Sequence, residues 1–86
     1  MEKNEHYFYV VKCRDGSYYA GYTNDLERRI AAHNQGKGAK YTRGRTPVEL
    51  IHHELFETQT LAMQAEYKFK QLSRKQKQMW MAKGDI

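Results

Sequence analysis

At 86 residues, with one cysteine and 15 lysines and arginines against 10 acids, the chain has room for one small core and no internal disulfide, and carries a net charge of +5. Folding at this length buries only about 60–65% of the surface an extended chain exposes, so stability rests on that one core. A body this basic favours a polyanionic partner, nucleic acid first, although many small proteins are basic without binding one.

No run of about 18 apolar residues occurs, which excludes a spanning helix and a membrane partner. Met1–His6 lacks the basic and then apolar regions of a signal peptide, and the lone Cys13 suits a reducing cytoplasm, so a soluble cytoplasmic protein is expected. His6, His33, His52 and His53 form no zinc-type pair with each other or with Cys13. No repeat, linker or change of composition divides the chain, and a single domain over 1–86 is expected.

Tyr7–Cys13 alternates as an aromatic, β-branched strand, with Tyr7, Tyr9, Val11 and Cys13 on one face and Phe8, Val10 and Lys12 on the other. Asp15-Gly16 predicts a two-residue type I′ hairpin, and Ser17–Tyr22 the strand that returns from it. A helix is expected from about Asn24 to about Gln35. Asn24 and Glu27 read as a capping-box variant, and Gly36 reads as its stop. Within that helix Leu26 and Ile30 must face the core. Arg29 and His33 complete an i, i+3, i+4, i+7 pattern with them, so two costly polar groups sit on or beside the buried stripe. Such local rule-breaking is where functional sites are expected.

The segment Gly36–Pro47 carries three glycines, four cations and a tyrosine but no acid. It lacks Walker A spacing. It reads equally as a phosphate-contacting loop and as a solvated, flexible one. Val48–Phe56 predicts a third strand, on which adjacent His52 and His53 point to opposite faces and read as surface and edge histidines. A second helix is expected from about Thr58 to Leu72, its apolar stripe made of Leu61, Ala62, Ala65, Phe69 and Leu72 with Glu66 at its border. Ser73 and Gln76 form a capping box that opens a third, short helix through Met79 and Trp80. That pair fits either capping of the core or docking on a partner protein. Lys68, Lys70, Arg74, Lys75 and Lys77 cluster at the helix junction as a solvated face or an extension of the basic surface. The expected class is α+β, a small three-stranded antiparallel sheet flanked by about three helices.

Tyr7-Phe8-Tyr9, then Tyr19-Ala20-Gly21, then Arg29 and His33 in phase, then Glu66 on a later helix together resemble the GIY-YIG nuclease superfamily. The resemblance covers nearly the whole chain. It is strongest to the compact bacterial branch, which is similar to the nuclease domain of the eukaryotic structure-specific resolvase subunit, including the stretch Gly38-Ala39-Lys40-Tyr41-Thr42. Tyr7 replaces the glycine of the first triplet and Ala20 the apolar middle residue of the second. Some members also carry an asparagine after the glutamate helix. None follows Asn34 here, and Lys70 is the candidate for its place.

The resemblance implies hydrolysis of DNA phosphodiester bonds, in branched or single-stranded DNA. Tyr9 or Tyr19 would help deprotonate the attacking water, Arg29 would stabilise phosphate charge, and His33 would orient or assist proton transfer. Glu66 would hold one divalent cation, Mg²⁺ or Mn²⁺, and Gly21 would give the backbone room near the phosphate. Lys37, Lys40, Tyr41, Thr42, Arg43, Arg45 and Lys70 would contact nucleic acid. Elementary chemistry sets conditions on this. A phenol of pKa near 10 costs about 4 kcal/mol to hold ionised at pH 7, so a tyrosine base needs a cation nearby. Mg²⁺ keeps several waters and takes one or two carboxylates, so a lone glutamate is compatible with it. The competing expectation is a non-enzymatic basic binding module on the same scaffold.

Overall fold

Strand β1 (His6–Lys12) lies in the middle of an antiparallel sheet ordered β2–β1–β3, with β2 over Tyr18–Thr23 and β3 over Glu49–Phe56. Helix α1 (Leu26–Asn34) follows β2, and α2 (Gln59–Lys70) and α3 (Arg74–Lys83) follow β3. These elements come from a computed structural model that describes residues 5–83. Met1–Asn4, part of the stretch read above for targeting signals, and Gly84–Ile86 lie outside the described residues.

The alternation of β1 dictates the layers. Phe8 and Val10 point to one side and form a core with Ala20, Ala65 and Phe69, against which Tyr18, Phe56, Leu72, Trp80 and Met81 pack. Tyr9, Val11 and Cys13 point to the other and form a second cluster with Val48, lined by Tyr19, Leu26, Ile30 and Leu50. Phe8, Phe69 and Trp80 meet at ring-centroid distances of 5.2, 5.8 and 5.6 Å in tilted and edge-on arrangements. Each such pair adds about 0.5–1.5 kcal/mol beyond its buried area. Trp80 thus caps the core, whereas Met79 is 55% exposed and does not.

Several local expectations are corrected. No residue other than glycine has positive φ among the described residues, so Asp15 cannot serve a type I′ turn. Instead Gly16 (φ +87°) donates to the Cys13 carbonyl, and Cys13 and Ser17 pair beyond it. This is the three-residue hairpin in which a type I turn ends on a left-handed glycine. The N-cap of α1 is Asp25, whose carboxylate accepts from Arg28 N, and not Asn24. Asp25 N in turn donates to the Thr23 hydroxyl, a local turn that sets the strand-to-helix corner. The cap of α2 is Thr58, and the Ser73–Gln76 capping box forms in both directions.

Leu61, expected in the stripe of α2, is 45% exposed, because Ala62, Ala65 and Phe69 alone hold the i, i+3, i+7 line. His52 is buried and not a surface residue. Val10 faces His52 while Val11 faces Leu50, so Ile51 is an extra, bulged residue. The bulge turns Leu50 to the Tyr9 side and His52 to the Phe8 side, where Glu54 accepts from His52 Nε2 at 2.8 Å and from Trp80 Nε1 at 2.6 Å.

Candidate active site

Tyr9 stands at the middle of the sheet, paired with Gly21 on β2 and His53 on β3. Its ring lies over Gly21, where an added Cβ would come within 2.5 Å of the phenol oxygen. The room that Gly21 provides serves the Tyr9 ring. Val11 pairs with Tyr19, which puts Tyr19 diagonally beside Tyr9 on the same face, with ring centroids 6.5 Å apart.

Helix α1 leaves the end of β2 and lies over this face. Its inner side carries Leu26, Ile30, Arg29 and His33, as the periodicity predicts, and His33 is the one residue of the helix that is fully buried. His33 Nε2 is 2.8 Å from the Tyr9 hydroxyl, and Arg29 Nε donates to the same oxygen at 3.3 Å. Tyr9, Arg29 and His33 are thus one hydrogen-bonded group, made by a strand and two successive turns of a helix.

The electrostatics follow from burial. Burial pushes the Tyr9 phenol above its usual range, and the Tyr19 and Glu66 charges act the same way, while the Arg29 hydrogen bond and charge oppose them. Burial, helped by the Arg29 charge, pulls His33 below the ordinary imidazole range, so it is neutral at pH 7. The Tyr9 hydrogen bond holds Arg29 further into its charged range, against burial.

The segment after α1 is held to the rest of the fold at several points. Asn34 brackets Val48, donating to its carbonyl at 3.2 Å and accepting from its N–H at 2.7 Å. Arg45 pairs with Asp15 at 3.0 Å, donates to the Tyr41 carbonyl and lies 4.2 Å over the Tyr41 ring. Gly36 and Gly44, both at φ +78°, make the bends. Between them a single 3-10 turn over Lys40–Thr42 carries Thr42 into the interior, where its hydroxyl lies 2.8 Å from His33 Nδ1. Thr42, expected to touch nucleic acid, is fully buried and cannot do so through its side chain. Tyr41 is exposed at one edge and stacks on Tyr19 at 5.9 Å. Lys37, Lys40 and Arg43 are exposed.

Helix α2 contributes the last parts. Glu66 pairs with Lys70 at 2.7 Å, and Lys70 Nζ lies 5.6 Å from the Tyr19 ring centroid. Among the described residues no group of three or more His, Cys, Asp and Glu could surround a metal ion. Glu66 is nonetheless the acid whose charge reaches Tyr9, and one carboxylate completed by water is a donor set that suits Mg²⁺. Its partner Lys70 has a half-exposed side chain. Sequence reasoning missed Gly38: a Cβ there would strike the His33 ring. Among closely spaced glycines, nothing distinguishes one kept for space from one kept for its φ.

Residues 5–79 match the GIY-YIG catalytic domain family. The chain belongs to the GIY-YIG family. It is 66% identical over 85 residues to a UPF0213 protein of Bacillus cereus, spanning 99% of this chain and 88% of that one. It is 63% identical over 81 residues to the UPF0213 protein YazA of Bacillus subtilis, spanning 94% and 82%. Two solution structures resemble it. One, a protein from E. faecalis, is 52% identical with a TM-score of 0.66 over 95% of this chain and 88% of that one. The other, a UPF0213 protein from Bacillus halodurans, is 51% identical with a TM-score of 0.58 over 93% and 86%. GIY-YIG nucleases generally use divalent metals, and the domain implies a nucleic-acid substrate. Among the described residues no helix is long and apolar enough to cross a membrane.

Proposed function

We propose that the chain is a metal-dependent endonuclease that hydrolyses DNA phosphodiester bonds, with branched and single-stranded DNA the forms to test first. The observation that carries this is the Tyr9 hydroxyl joined to both Arg29 and His33, with Tyr19 and Glu66 beside it. Arg29 Nε is committed to Tyr9, and the rest of its fork, which lies near Tyr19, would meet a phosphate and the charge developing there. Tyr9 is buried and engaged on both sides, so it anchors Arg29. Tyr19, half-buried with Lys70 Nζ 5.6 Å from its ring centroid, is the tyrosine that an incoming water meets. A divalent cation held by Glu66 and water would supply positive charge beside the scissile phosphate and lower the pKa of nearby water. His33, neutral and deprived of solvent, holds the Tyr9 hydroxyl in place. Lys37, Lys40, Tyr41, Arg43 and Lys70 edge the site and would contact the sugar-phosphate backbone, positioning DNA without reading its sequence.

The test is cleavage of labelled single-stranded, duplex and branched DNA with Mg²⁺, with Mn²⁺ and with chelator. Metal-dependent cutting is expected, reduced about 100-fold or more in Arg29→Ala, Tyr19→Phe and Glu66→Gln while binding survives. Binding without cutting on every substrate would remove the enzyme and leave a nucleic-acid-binding module. The closed Glu66–Lys70 pair is the observation that favours that second reading.

A further inference from the structure

We infer that Thr42 is a positioning residue that fixes the tautomer of His33 and, through it, the direction of every hydrogen bond back to Arg29. The Thr42 hydroxyl lies 2.9 Å from the Ala39 carbonyl oxygen and 2.8 Å from His33 Nδ1. The Ala39 carbonyl, which also accepts from Thr42 N–H, can only accept, and at 2.9 Å the two oxygens would set lone pair against lone pair unless the hydroxyl hydrogen lies between them, so toward His33 the Thr42 oxygen accepts. Nδ1 therefore carries the imidazole hydrogen.

In a neutral ring this leaves Nε2 bare, and the Tyr9 hydroxyl, 2.8 Å away, must donate to it. With its hydrogen spent there, the Tyr9 oxygen presents lone pairs to Arg29 Nε–H. The chain then runs one way, from Arg29 to Tyr9 to His33 to Thr42 to the Ala39 carbonyl. All of these side chains except Arg29 are fully buried, so no water is at hand to correct a wrong tautomer.

The order matters because the opposite tautomer breaks two contacts at once. A bare Nδ1 would meet the Thr42 oxygen lone pair against lone pair, and an Nε2–H would make the Tyr9 hydroxyl an acceptor. Tyr9 would then turn its own hydrogen toward Arg29, donor against donor. The backbone that sets the order belongs to the loop bearing Lys37, Lys40 and Arg43, so the phosphate-facing segment also holds the catalytic arginine in place. The tight fit of Gly38 against the His33 ring keeps that loop close enough to do so. The activity consequence rests on the nuclease reading; the tautomer itself does not.

The experiment is long-range ¹H–¹⁵N correlation of the His33 ring at pH 8 in the intact chain, for wild type, Thr42→Ser and Thr42→Val. Wild type and Thr42→Ser are expected to show Nδ1–H alone. Thr42→Val, of nearly equal volume but without the hydroxyl, is expected to show a mixture or Nε2–H. Cleavage at saturating DNA should fall about tenfold or more in Thr42→Val and recover in Thr42→Ser, with KM unchanged. An Nε2–H tautomer in wild type overturns the inference without any variant, even if Thr42→Val does not fold. Unaltered Nδ1–H in folded Thr42→Val overturns it as well. A tautomer that follows the hydroxyl in a protein that cuts nothing upholds the inference and fells the nuclease reading alone.

Discussion

The two faces of the sheet are built from one strand yet follow opposite rules. On the Phe8 side, hydrocarbon meets hydrocarbon over most of the area: Phe8, Val10, Ala65 and Phe69 interlock under α2, and at the end Glu54 satisfies both the one polar atom of Trp80 and the buried His52. On the Tyr9 side the fully buried residues include a tyrosine, a histidine and a threonine, joined by hydrogen bonds. An apolar face tolerates small misfits and gains from area. A polar chain gains little net energy from its bonds but loses heavily when one partner is missing. The first face therefore holds the fold and the second holds a geometry, and perturbing them separately should separate stability from activity.

The largest effect is expected on the apolar face. Phe69 is 1% exposed and touches both Phe8 and Trp80, so Phe69→Ala should cost about 3–5 kcal/mol, a large share of the stability of so small a body. Urea unfolding measures it. On the other face, Arg29→Ala leaves the apolar packing intact, so it should lose cleavage with a far smaller shift in midpoint. Equal destabilisation by the two variants would erase the distinction between the faces.

A second effect belongs to the rim of the polar face. Neutralising Lys37, Lys40 and Arg43 together should reduce the slope of log affinity against log salt by about two to three units, since each phosphate contact releases counterions. Arg45 was grouped with them in the sequence, but it is occupied by Asp15, the Tyr41 carbonyl and the Tyr41 ring. Arg45→Gln should therefore move the slope by less than one unit. A slope unchanged in the triple variant would deny the loop its place on the DNA.

How much of this was legible follows from range. The two faces of β1, the helix carrying Arg29 and His33, and the cap at Ser73 depend on periodicity and on neighbours three or four residues away. The residue pattern displays those directly. The Asp15 turn was misread because Asp-Gly serves two hairpin geometries, and only the φ of Asp15 decides between them. His52 was misplaced because one bulged residue, Ile51, reverses the faces of a strand, and no local pattern marks it. Thr42 was the most instructive error. Its position in a basic, glycine-rich run made it look like a phosphate contact. The histidine that claims it lies nine residues away and meets it only once Asn34 and Val48 have closed the loop.

The smallest expected effect is that of pH, and it tests the polar face alone. His33 sits below its ordinary pKa because burial and the Arg29 charge disfavour the imidazolium, while Tyr9, Tyr19 and Thr42 surround it with no carboxylate in contact among the described residues. In the unfolded chain the ring takes a proton near pH 6.5, whereas in the folded chain it resists until a lower pH. The unfolded state thus binds more protons in that window. The stability contributed by neutral His33 is complete above about pH 6.5 and is lost as pH falls toward its folded value. One proton limits the slope to about 1.4 kcal/mol per pH unit. The measurement is unfolding free energy of wild type minus that of His33→Gln from pH 8 to pH 4, which cancels the other histidines. The difference should be flat above pH 7 and shrink below it. A difference that stayed constant across the range would mean that His33 is not held neutral, and the polar face would lose the acceptor on which its order depends.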